Sequence, residues 1–192
     1  MTSLTALAAA LALLDPAAAC DFDRDAMLAM DEQTFDQTPE GWRSLHGEGC
    51  IDQAAQLIAD YRAHTGSEGH MLYWHEGQLR AEQGQSDAAI ALLDQARQPA
   101  LDFQGWDHYV DASIAFLNQD RSALEAARER LAATPTPDME MIATLPDGRR
   151  VRVPWPPNLN VVDGFVRCFD QPYAVAYRAP CREQVAFEPV EE

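Results

Sequence analysis

Two stretches of this chain carry the same punctuation 35 residues apart: Gly49-Cys50-Ile51-Asp52-Gln53-Ala54 and Gly84-Gln85-Ser86-Asp87-Ala88-Ala89. Under that shift Leu57-Ile58 falls on Leu92-Leu93. A further shift of 34 sets Ala123-Leu124 on Ala89-Ile90 and Asn118 on Gly84. Gly and Asn tolerate the left-handed conformation that reverses a chain between helices. Trp42, Trp74 and Trp106 keep an even spacing of 32. A period near 34 with two helices per unit is the sequence form of stacked helical hairpins, each burying its apolar face against the next.

Apolar residues between these marks recur with helical spacing. Ala54, Ala55, Ile58 and Tyr61 share one face. Within Gly69 to Gln83, Tyr73, Gly77 and Ala81 recur every four residues, with Trp74 beside them. Ala89, Ile90, Leu93 and Ala96 form a third stripe. Trp106 to Leu117 carries Tyr109, Ala112 and Phe116, and Arg121 to Ala133 carries Leu124, Ala127 and Leu131. A short helix is expected around Arg24 to Asp31, and Thr38-Pro39-Glu40 reads as the start of another, with Thr38 as its cap.

From about residue 40 to 133 the chain resembles the tetratricopeptide repeat family. The fullest unit runs from Tyr73 to about Leu101, with Gly77 at the small position of the first helix and Ala89 and Ala96 at those of the second. Its neighbours depart from the pattern. Asp111 and Arg130 stand where the third unit would hold Gly and Ala, and the first unit has a shortened leading helix. The resemblance implies antiparallel hairpins and a groove lined by first-helix positions, which map onto Trp74, Gln78, Glu82 and His108. Such a groove would suit a polar or basic peptide.

The last third changes character. Thr134-Pro135-Thr136-Pro137 is a linker, and Pro146-Asp147-Gly148 is a turn between two strands, Met139 to Thr144 and Arg149 to Val153. Asn158 and Pro172 open two short helices, reaching about Phe169 and Tyr177. Arg150 and Arg152 share one side of their strand, as a charged edge that blocks aggregation or as a docking point for acidic groups. The fold class expected is mainly α, with tetratricopeptide-like hairpins over 20–133 and a C-terminal cap of β-hairpin and short helices over 134–192.

The first 19 residues read as an export signal. Leu4 to Leu14 is an apolar run too short to span a bilayer, and Ala17-Ala18-Ala19 supplies small residues for cleavage. Cys20, Cys50, Cys168 and Cys181 then permit two disulfides in three connectivities, with Cys20–Cys50 and Cys168–Cys181 favoured by local order. A lipid anchor on Cys20 is the competing reading, weakened by Ala17 where a lipobox carries Leu.

A formal charge of −17 opposes binding to nucleic acid and to anionic membranes. His75-Glu76 opens a zinc-protease motif that fails at Leu79, where the second His would stand. His108 and Asp111 share a helix face and, with His75, could hold a metal only if the fold gathered them. Asp21, Asp23, Asp25 and Glu32 imitate a calcium loop but have Ala26 where its glycine belongs. No catalytic, metal or cofactor site is therefore expected. The leading expectation is a non-catalytic protein–protein interaction module of the bacterial periplasm or secreted fraction. The alternatives are a small enzyme or metal-dependent ligand binder, and a lipid-anchored envelope assembly factor.

Overall fold

The repeated punctuation becomes a repeated turn. In the computed structural model, which describes residues 20–98, 102, 104–145, 148–185 and 188–190, left-handed residues occur at Gly49, Gly84 and Gln119. In each turn the amide of this residue bonds the carbonyl three back, and the next amide bonds the carbonyl five back: Cys50 to Leu45, Gln85 to Arg80, Asp120 to Ala115. These two hydrogen bonds satisfy carbonyls that a helix end would otherwise orphan. The third turn corrects the sequence register. Asn118 stays right-handed at φ −77°, and Gln119 at φ 56° takes the left-handed position. The turn therefore recurs at 35 both times.

The helices are α1 (Arg24–Leu28), α2 (Glu32–Gln37), α3 (Trp42–Gly47), α4 (Ile51–Thr65), α5 (His70–Glu82), α6 (Ser86–Gln95), α7 (Trp106–Leu117), α8 (Arg121–Ala132), α9 (Leu159–Arg167) and α10 (Tyr173–Ala176). From α3 to α8 each packs on its neighbour in sequence. Gly77 shows why one of these pairs needs a small residue: a Cβ there would lie 2.9 Å from Leu93 Cδ2 on α6. The mainly helical expectation holds. Thr38 does not cap a helix. It ends α2, its hydroxyl donating to the Thr34 carbonyl, because Pro39 disfavours helix at the residue before it.

Two apolar clusters form the interior. Phe35, Trp42, Leu45, Ile58, Tyr61 and Leu72 dominate the first. The second joins Trp74, Leu93, Tyr109, Phe116 and Leu124 to Val162, Phe165 and Tyr173. Thus α9 and α10 pack into the same core as α5 to α8. A small antiparallel sheet lies beyond α8, in the order β1 (Ile142–Thr144), β2 (Arg150–Arg152), β3 (Glu188–Pro189). The expected hairpin is present with shorter strands, and it gains a third strand. Pro146 and Asp147 of its turn, and the expected export signal, lie outside the described residues. Arg152 pairs with Glu140 and Glu188, so its charge is met within the protein.

The cysteines are joined as Cys20–Cys50 and Cys168–Cys181, each with Cα atoms 5.8 Å apart. The first bond uses the thiol that a lipid on Cys20 would require. No helix among the described residues is long and apolar enough to cross a membrane.

Candidate ligand cavity

The chain contains no lysine, so all 14 of its cationic side chains are arginines. Three of them, Arg43, Arg178 and Arg182, line one cavity of about 410 Å³. Its walls come from α3, from α5, and from α10 with the segment after it. Trp42 and His46, His75 and Glu82, and Tyr173 and Tyr177 are among the other lining residues. That volume is within the usual range for small-molecule sites.

Arg43 is held before any ligand arrives. Its Nε donates to the Asp36 carbonyl at 2.6 Å, and its guanidinium lies 4.4 Å from the Trp42 ring centroid. Nη2 also meets His75 Nε2 at 3.5 Å. Burial pushes the Arg43 pKa down, and Asp36 and Tyr177 partly offset this. A guanidinium fixed in this way keeps its remaining N–H groups as a planar fork for an oxyanion.

Behind Arg43 stands a buried carboxylate. Asp36, 4% exposed, accepts from His75 Nδ1 at 2.7 Å and from Trp42 Nε1 at 2.9 Å. Burial opposes the Asp36 charge, but hydrogen bonds from His75, Trp42 and Gln37 and the charge of His75 outweigh it. Its carboxyl is held below the usual aspartate range. His75 therefore stands between the Asp36 carboxylate and the Arg43 guanidinium, one ring nitrogen towards each. The link before α3 must be tight for this arrangement: a Cβ on Gly41 would lie 1.9 Å from the Phe35 carbonyl oxygen.

A second imidazole–carboxylate pair lies on the same cavity. His46 Nε2 is 3.0 Å from Glu82 Oε2, and Arg178 pairs with the other oxygen of Glu82. Gln78 donates to the Tyr177 hydroxyl at 3.1 Å. Arg178–Glu82 and Tyr177–Gln78 thus tie the C-terminal wall to α5. Arg182 lies over the Tyr177 ring at 5.3 Å. The Cys168–Cys181 bond, and Arg167 donating to the Cys181 carbonyl at 2.5 Å, fix the loop that carries these groups.

Tyr173 also lines the cavity. Tyr173 is 6% exposed and its hydroxyl has no hydrogen-bond partner. The neighbouring Gln78 side chain interacts with Tyr173 and donates to the Tyr177 hydroxyl. Burial, followed by the neighbouring Tyr177, pushes the Tyr173 pKa well up.

Of the groove residues expected from sequence, Gln78 and Glu82 line this cavity. Trp74 does not: it is 3% exposed and packed 4.9 Å from the Trp106 ring and 4.7 Å from Tyr109. His108 lies half-buried on α7, outside the cavity walls. The metal set of His75, His108 and Asp111 is not gathered. Asp111 pairs with Arg97 and Arg130 while His75 bonds Asp36, and no metal-binding cluster occurs among the described residues. Nor does the acidic N-terminal segment wrap as a loop: Asp23 caps α1, and Glu32 accepts from the Ser67 hydroxyl. Sequence reasoning missed Asp36, Arg43, Tyr173, Tyr177, Arg178 and Arg182. Of the cavity's histidines, His46 and His75 stand 29 positions apart with no motif between them to link them.

No family model, no curated protein and no solved structure matches this chain.

Proposed function

We propose that the protein is an exported, non-catalytic binding module, built from tetratricopeptide-like hairpins, whose cavity receives an anionic group of its ligand. The observation that carries this reading is the convergence of Arg43, Arg178 and Arg182 on one cavity in a chain of net charge −17. The long-range field of such a chain repels anions, so a local cationic site has to be assembled against it. The protein partner expected from sequence and the ligand binder kept as its alternative need different surfaces. A partly open cavity lined by three arginines supports the ligand binder, without the metal.

The non-catalytic part rests on the lining. It includes no Ser, Thr, Cys or Lys to serve as a nucleophile. Export is supported by the apolar N-terminal run with its small-residue end, and by two disulfides, which persist in oxidising compartments.

Calorimetric titration with acetate, other small carboxylates and inorganic phosphate tests the reading. Saturable binding of at least one oxyanion, lost in Arg43→Gln, is expected. Absence of saturable binding by every oxyanion would remove it.

A further inference from the structure

Beside the arginine cavity lies a second one of about 320 Å³, and the two share Arg182 and Gln184 as lining residues. The second is bounded by the link from β2 to α9, by α9 itself and by the segment after Cys181. Pro154, Trp155, Pro156, Pro157, Leu159 and Val185 give it an apolar lining. Trp155 Nε1 donates to the Thr134 carbonyl at 3.1 Å. That bond satisfies the one donor of the indole and holds the ring in place.

Three polar side chains of this second cavity are committed to the protein. Asp163 accepts from Arg128 Nε at 2.8 Å, Glu183 accepts from Arg167 at 2.7 Å, and Asn160 donates to the Glu183 carbonyl at 3.0 Å. A ligand rich in hydroxyls or amides would compete with these bonds. An apolar body only displaces water from the prolines and the indole. The adjoining end has the opposite chemistry, with Arg43 anchored beside Trp42 and Arg182 over Tyr177 at the junction. The net charge of −17 gives an anion no long-range attraction, so burial of an attached apolar body supplies affinity that the field withholds.

Resting on the anion-binding reading, we infer that the ligand is an amphiphilic carboxylic acid that occupies both cavities. Its carboxylate pairs with the arginines of the first, and its apolar tail passes Arg182 to lie against Trp155 and the prolines of the second. Arg43 is fixed by the Asp36 carbonyl and by Trp42, and the indole of Trp155 by Thr134, so binding requires little reordering at either end.

The test is calorimetric titration of the full chain, disulfides intact, with acetate, butanoate, hexanoate, octanoate and 1-octanol. Affinity is expected to rise about two- to fourfold for each added methylene, the upper figure corresponding to its full burial. Octanoate should bind about tenfold or more tighter than 1-octanol, which lacks the charge that the arginines pair. Trp155→Ala should weaken octanoate by about threefold or more, through lost apolar contact, and leave acetate unchanged. Val185→Thr keeps the side chain's shape and adds a hydroxyl where the tail lies. It should also weaken octanoate by about threefold or more and spare acetate, and it decides the matter if Trp155→Ala does not fold. If affinity does not rise with chain length, or Val185→Thr binds octanoate as well as the wild type, the amphiphile inference fails and the anion reading stands. Binding of 1-octanol as tight as that of octanoate overturns the carboxylate assignment. If no anion binds, both fail.

Discussion

His75, in the middle of α5, donates from Nδ1 to Asp36 Oδ1 across 2.7 Å, joining two residues 39 positions apart in sequence. The pair supports Arg43 from behind, and it ties the cavity to the stability of the fold.

Acid should expose this bond. The Asp36 carboxyl titrates below its ordinary range. Its contribution is therefore complete above the unfolded value of about 3.9 and disappears as pH falls through the lower folded value. Asp36→Asn is expected to cost about 1.5–3 kcal/mol near neutrality. That difference from wild type should shrink towards zero when urea unfolding is repeated near pH 2. A gap independent of pH would contradict the assignment.

Glu82 neutralises part of the cationic site, since it holds both Arg178 and His46. Glu82→Gln should strengthen oxyanion binding by about 2- to 10-fold, from the loss of one nearby negative charge in a half-shielded site. Competitive calorimetry against the wild type reads this directly, and weaker binding would count against the placement of the anion.

Gly41 is a backbone constraint on the same site. A methyl group there would overlap the Phe35 carbonyl, which no side-chain rotation can relieve. Gly41→Ala should cost about 2–4 kcal/mol, in the range of the larger single-residue effects, and should weaken ligand binding with it. Equilibrium unfolding together with anion titration checks both.

The Cys168–Cys181 bond closes a short loop, with a sequence separation of 13, behind the cavity wall. The double variant Cys168→Ser/Cys181→Ser is expected to lose about 2–4 kcal/mol of stability. Affinity should fall further than in a Cys20→Ser/Cys50→Ser variant, whose disulfide does not border the cavity. Thermal melts and titrations of the two variants separate these effects.

Most of the helical architecture was legible because it is local. The apolar stripe of Trp106 to Leu117 became α7 with those bounds, and Gly77 marked a close approach of helices before any partner was known. The small strand Glu188–Pro189 was not legible. Its residues have little strand preference, and it forms by pairing with Val151 and Arg152, with Arg152 bonding Glu188. Gln119 misled for a related reason. Side-chain preference points to Asn118 for a left-handed turn, while the length of the preceding helix assigned that conformation to the next residue.

By itself the sequence determined the helical segments from α4 to α8, a recurrence near 34 and the even cysteine count, because periodicity and turn chemistry act between near neighbours. Only the tertiary structure decided that Asp36, Arg43, His75, Glu82, Tyr173 and Arg178 share one site. These residues come from distant segments, and burial, not spacing along the chain, sets which charges meet and which hydroxyl is left without a partner.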